Sequence, residues 1–221
     1  MVREAYHRAL KELEKELLTM GDMVADAIRG SIEALKKRDI EASQEIIKND
    51  LLINKKRFEI EEKCLLLIAT QQPMAVDLRT IAAILSIITD LERIADHAEG
   101  IAKISVMIGK GPLVKPLIDV PRMAEKGLQM LEKCLKAFIE RDSEGARAIC
   151  DEDDEVDALY EQIYRELLVM MIESHKIIQG ATYLMWVAHN LERVADRVTN
   201  IAERVVFMVT GRMEEINVSK Y

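Results

Sequence analysis

Asp90-Leu-Glu-Arg-Ile-Ala-Asp-His-Ala-Glu-Gly-Ile-Ala102 and Asn190-Leu-Glu-Arg-Val-Ala-Asp-Arg-Val-Thr-Asn-Ile-Ala202 are one segment written twice, with seven of thirteen positions identical. Apolar residues recur in both at steps of three and four, the period of an α-helix, and nothing in the chain shows a convincing period of two. Whatever one copy folds into, the other must build as well. Other pairs extend the match: Arg38-Asp39 returns as Arg141-Asp142, Asp50 as Asp153 and Asn54 as Asp157, now 103 residues apart instead of 100. The change of offset places a three-residue deletion near Ser174-His175, where a turn tolerates it at least cost. The chain is a gene duplication.

Turn signals are few, so the helices are long. The pattern predicts a first helix from Arg3 to Lys37, ended by Arg38-Asp39, and a second from Ile40 to Thr70. Gln71-Gln72-Pro73 breaks the second, since proline cannot continue the hydrogen-bond ladder. A third helix is expected from Ala75 to Ile108. Gly109-Lys110-Gly111-Pro112 then opens the one Pro/Gly-rich stretch, running to Pro121, and the pattern restarts. The prediction is an all-α chain, a tandem repeat of two antiparallel three-helix bundles: residues 1–110, a linker at 111–121, and residues 122–221. A single six-helix bundle is the alternative, and the break at 109–121 argues against it.

Composition supports this and excludes other classes. The 221 residues are 49% hydrophobic and 32% charged, with nine glycines and four prolines, a helix-rich balance unlike that of disordered chains. Aromatics are scarce, and the twelve methionines, scattered at helical spacing, read as adaptable core filler. A net charge of −8 without a Lys/Arg-rich run disfavours nucleic acid and anionic membranes and favours cations. The start, Met-Val-Arg-Glu-Ala-Tyr-His, carries no signal-like pattern, and runs such as Cys64–Ala69 are too short to span a bilayer. A cytoplasmic protein without membrane insertion is expected. Cys64, Cys134 and Cys150 fit no metal or redox spacing.

The acids carry the chemistry. Glu92 and Asp96, four apart on a helix, present their carboxylates on one side, and Glu192 and Asp196 repeat the arrangement. Asp50 with Asn54, and Asp153 with Asp157, do the same one helix earlier. In an antiparallel hairpin, residues equally far from the turn share a height. Asp50 and Asp96 are symmetric about Pro73, as are Asn54 and Glu92; in the second copy Asp153 pairs with Asp196, and Asp157 with Glu192, about Ser174–His175. Asp22 and Asp26 on the first helix reach nearly the same level, with weaker counterparts in Glu125 and Gln129. Four oxygen-bearing side chains gathered without lysines need a cation or must keep a proton, and hard oxygen ligands suit iron, manganese, magnesium or calcium better than zinc. Each acid pair alone is commonplace on a charged helix; the matched heights in both copies single these out. The site is expected on a flank of the apolar stripe, open to solvent. His97 and His189 flank the motifs without being repeated, and His7 and His175 lie at an end and a turn, so all four read as structural.

Asp90 to Lys103, the second copy from Trp186 to Glu203, Gln71-Gln-Pro73 with Asp77-Leu-Arg79, and the ending Phe207-Met-Val-Thr-Gly211 resemble the PhoU family along essentially the whole chain. The resemblance implies two three-helix bundles and multinuclear iron or other metal sites at Glu92 and Asp96, Glu192 and Asp196, Asp50 and Asn54, and Asp153 and Asp157. It also implies a negative regulator of phosphate uptake and phosphate-starvation signalling, without enzymatic activity. Its partners would be a phosphate ABC transporter ATPase and a sensor histidine kinase, and its state a homo-oligomer, a dimer. Two departures stand out: Ala95 and Ala195 replace a family glycine, and Asn54 replaces an acid, lowering the charge of the first site by one. Two other functions compete. A carboxylate-bridged di-iron enzyme would carry Glu-x-x-His motifs on two core-facing helices, and this chain has only Glu4-Ala-Tyr-His7. A metal-free interaction scaffold would use the acids for solubility or for a basic partner. Direct phosphate sensing finds no evident nest on an acidic surface.

Overall fold

The computed structural model describes residues 2–216. The outermost ends of the two expected units, residue 1 and residues 217–221, lie outside the described residues. The element order is α1 (Val2–Lys37), α2 (Ile40–Gln71), α3 (Val76–Ile108), α4 (Asp119–Glu140), α5 (Ser143–Glu173), a 3₁₀ turn (His175–Ile177) and α6 (Ile178–Thr210). The helices α1, α2 and α3 pack on one another, and α4, α5 and α6 do the same, giving the expected tandem of three-helix units.

The recurring Arg-Asp step does the same work twice. Arg38 (φ 56°) and Arg141 (φ 58°) take the left-handed conformation that ends a helix. The next residue caps the following helix: Asp39 accepts from the Ala42 N–H at 3.0 Å, and Asp142 from the Gly145 N–H at 2.9 Å. At the other hairpin Gln72, also left-handed, donates its N–H to the Ile68 carbonyl at 3.2 Å before Pro73. The restart comes earlier than the prolines suggested. α4 begins at Asp119 and holds Pro121 in its first turn, where the missing N–H has no intrahelical partner to lose.

The two units are joined by α3 on α6 and by α1 on α4, while α2 and α5 lie outermost. One continuous apolar core runs through both. α3 and α6 cross antiparallel, so partner numbers rise on one as they fall on the other. The Arg79 Nε donates to the Met208 carbonyl at 3.3 Å, Asp90 sits 3.5 Å from Arg197, and His97 meets Asn190 at 3.0 Å. The last two pairs are the same contact seen twice. Asp90 and Asn190 are equivalent positions, as are Arg197 and His97, so a pseudo-twofold axis runs between the helices. A Cβ on Gly100 would come within 3.1 Å of the Asn190 Oδ1, which favours glycine at this crossing. His97 is therefore structural, as its sequence context suggested.

Candidate carboxylate sites

In the first unit α2 and α3 bring their acids to a common level. The Asn54 Nδ2 donates to the Asp50 Oδ2 at 2.8 Å. The other carboxylate oxygen, Asp50 Oδ1, is buried without a hydrogen-bond partner. Burial raises the Asp50 pKa, and the negative charges of Glu99, Asp96 and Glu92 raise it further, while the Asn54 amide opposes the rise. Asp50 thus senses both acids of the Glu92–Asp96 pair across the helix interface. Glu92 is half-buried and Asp96 exposed, as the flank position on the helical wheel requires.

Glu99 belongs with this group and escaped the reading of the sequence. It lies one turn beyond Asp96, and its charge acts on Asp50 more strongly than that of Asp96 or Glu92. Its counterpart is Thr199, so comparison of the repeats hides it. Its i+3 spacing from Asp96 was the available signal. A depression of about 280 Å³ beside this group is lined by Asp26, Asn49, Asp50 and Glu99 over Ile46, Ile53 and Ala95. Asp26 thus reaches the group from α1, held by Arg29 at 3.2 Å. Asp22 lines the groove between α1 and α4, which Asp26 borders too.

The second unit is more buried. Asp153 is 3% exposed. The Glu192 pKa is pushed up to about 7, by burial first and then by the charges of Asp196, Asp157 and Asp153, against the opposing charge of Arg193. The Glu192 Oε2 is buried and accepts no hydrogen bond, although the His189 Nδ1 lies 3.4 Å away. Asp157 is raised as well, by burial and by Asp196, Asp154 and Glu161. Asp196 accepts from the Arg193 guanidinium at 2.6 Å. The weaker counterparts on α4 are occupied with each other, since Gln129 donates to Glu125 at 3.0 Å.

Among the described residues, no three His, Cys, Asp or Glu side chains converge closely enough to hold a metal ion in this arrangement. The donor set is nonetheless of the kind a hard cation takes. Each unit has a buried carboxylate oxygen without a donor, and its neighbours raise its pKa by repulsion, which a bound cation would relieve. On that test the residues of both units fit a cation: Asp157 stands where the first unit has Asn54, and Glu99 where the second has Thr199. Cys64, Cys134 and Cys150 are all buried and free. Burial pushes the Cys64 and Cys150 thiols up to about 12 and raises that of Cys134 too, so none is a thiolate at neutral pH.

Comparison with known proteins agrees with this architecture. The family model described as the PhoU domain matches twice, over residues 17–105 and 120–205. A "Phosphate-specific transport system accessory protein PhoU homolog" from Clostridium acetobutylicum is 38% identical over 218 residues, covering 98% of this chain and 100% of that protein. The crystal structure of PhoU from Pseudomonas aeruginosa superposes with a TM-score of 0.88 at 30% identity, covering 94% of this chain and 100% of that one. The phosphate transport system regulatory protein PhoU from Streptococcus pneumoniae superposes with a TM-score of 0.89 at 31% identity, covering 95% and 99%.

Proposed function

This chain belongs to the PhoU family, and from that premise we propose that it is a non-catalytic accessory protein of a phosphate-specific transport system. In this reading it is a cytoplasmic adaptor that represses phosphate uptake and phosphate-starvation signalling by contact with the transporter ATPase and a sensor histidine kinase. The observation that carries the reading is likeness along almost the whole length to relatives named for that role. No helix among the described residues is long and apolar enough to cross a membrane, which suits an adaptor that meets the transporter from one side.

The carboxylates give the adaptor a cation site on each unit. Asp153, Asp157, Glu192 and Asp196 would hold the ion in the second unit. Asp50, Asn54, Glu92 and Asp96, with Glu99, would do so in the first. Multinuclear iron or another hard divalent ion would supply the positive charge that lets these carboxylates ionise together. The protein's own residues keep the donors aimed at one level: the α2–α3 and α5–α6 pairings set the height, and Asn54 orients Asp50. Exposure of Asp96 leaves the first site open to solvent and to a partner face. The enzyme reading is less well supported. Glu4 and His7, its single Glu-x-x-His motif, lie exposed near the start of α1, away from the core.

Two measurements test this. Deleting the gene should raise phosphate uptake and derepress phosphate-responsive transcription under phosphate-replete growth; unchanged uptake and transcription would sink the regulatory role. Metal analysis of protein purified without chelator or metal-affinity steps, beside a folded E92A/D96A/E192A/D196A variant, tests the sites separately. Transition metal in the parent and not in the variant is expected. A parent that neither carries nor takes up iron would leave the metal-free scaffold standing.

A further inference from the structure

α6 sorts its charges by side. Trp186, Asn190, Arg193, Arg197, Asn200 and Arg204 fall within one arc of about 80° along the helix. Its acids Glu192, Asp196 and Glu203 lie about 100° round from the middle of that arc. The arc runs along the seam with α3, where Arg197 meets Asp90 and Asn190 meets His97. On one side of this seam α1 and α4 pack over it and touch each other; among the described residues no helix covers the other side. There the chain's single tryptophan, Trp186, is 47% exposed, with the centre of the Tyr183 ring 5.7 Å from that of its own.

The fold does not demand this stripe. α3 holds the equivalent place in the first unit, and it has Ser86, Asp90, His97 and Ile104 where α6 has Trp186, Asn190, Arg197 and Arg204. Arg93 alone matches an arginine, Arg193. These two flank the pseudo-twofold axis, midway between the Asp90–Arg197 and His97–Asn190 contacts. Arg93 therefore adds its charge to the stripe from across the seam. It is exposed and, among the described residues, makes no ion pair. Arg193 and Arg197 are held by Asp196 and Asp90, with 40% and 27% of their side chains exposed. A band of arginine thus runs along the middle of a chain whose net charge is −8.

The borders of the band decide which anion fits it. Glu92, Asp96 and Glu99 lie along the edge toward α2, and Glu192, Asp196 and Glu203 along the edge toward α5. A nucleic-acid duplex or an anionic membrane is broader than the band and would press its charge against both edges. A single polypeptide segment lies between them. Arginine forks match carboxylates, and exposed Trp beside Arg is the pairing of residue types that dominates protein interfaces. We propose that the α3–α6 seam is a docking surface for an acidic polypeptide segment of a partner, its carboxylates on Arg93, Arg193, Arg197 and Arg204 and an apolar residue on Trp186. From Trp186 to Arg204 the stripe runs about 27 Å, the length of about eighteen helical residues. The proposal rests on the adaptor reading for the partner's role and names the face that role uses. Its contact residues include none of the candidate cation ligands.

Trp186 is the reporter. Its fluorescence is followed in the whole chain while a synthetic glutamate/alanine peptide of about eighteen residues is added, beside a glutamine/alanine twin. The glutamate peptide should shift the emission saturably and lose affinity steeply with added salt; the glutamine peptide should do neither. R93E should weaken binding about fivefold or more. K55E, on the outermost helix α2 with its lysine 74% exposed, changes the net charge by the same amount and should bind like the parent. A parent indifferent to the glutamate peptide overturns the proposal. So does equal weakening by R93E and K55E, which would mark bulk charge instead of a surface. An equal response to duplex DNA, to vesicles of equal parts phosphatidylserine and phosphatidylcholine, or to inorganic phosphate overturns the choice of a polypeptide. The gene deletion fails separately: unchanged uptake with peptide still bound sinks the adaptor role alone, and repression without peptide binding sinks the docking surface alone.

Discussion

Replacing Glu192 with glutamine should make the cation-free protein more stable at alkaline pH and leave it unchanged in acid. In the folded protein the Glu192 pKa stands at about 7 against an ordinary 4.5, chiefly through burial and the nearby Asp196. A folded-state pKa above the unfolded value means that the folded protein holds the proton more tightly. Stability then falls as pH rises from about 4.5 to about 7, and the full cost is present above that window. At about 1.4 kcal/mol per pKa unit the cost at pH 8 is about 3 kcal/mol. The side chain is only 20% exposed, so solvent screening removes little of it. Glu192→Gln keeps the shape and deletes the charge. After chelator treatment, urea melts at pH 8 should place the variant about 2–3 kcal/mol above the parent, a rise in melting temperature of about 4–12 °C for a chain of this size. At pH 4.5 the two should coincide. Added iron or manganese at pH 8 should stabilise the parent and not the variant. Equal stability of parent and variant at pH 8, or a gap that persists unchanged at pH 4.5, would refute the electrostatic reasoning.

The α3–α6 crossing offers a second prediction. Asp90→Ala leaves Arg197 half-buried without its carboxylate and should cost about 3 kcal/mol or more, whereas Asp90→Asn copies the equivalent Asn190 and should cost clearly less; denaturant melts of the two variants decide it. The twin caps predict matched losses. Asp39→Ala and Asp142→Ala should each lower stability by about 1 kcal/mol, additively in the double variant because the two turns share no partners.

Much of the fold was legible because duplication supplies its own control. Arg38-Asp39 is legible as a helix boundary because Arg141-Asp142 repeats it, and both are a left-handed residue followed by an aspartate cap. Proline was the less faithful guide. Pro73 ends a helix, while Pro121 sits inside one, because what proline forbids depends on whether its absent N–H had a partner.

The carboxylate groups were legible in height and less so in azimuth. Counting residues from a turn fixes how far along the bundle a side chain lies. It does not fix how the helix is rotated, and rotation decides which acid on α3 lies nearest to Asp50. Glu99 therefore outranks Asp96 there, although Asp96 matches Asp50 in height. Comparison of the copies could not repair this, since it rewards what both units keep and Glu99 faces Thr199. The same filter hides the exposed apolar residues Leu51, Leu52 and Phe58 of α2, replaced by Asp154, Glu155 and Glu161 in the other copy. Shared positions hold what both units need: the Arg-Asp turns, the Leu-Glu-Arg segment, the paired acids. Where the copies differ, one unit has been released to do something its twin does not.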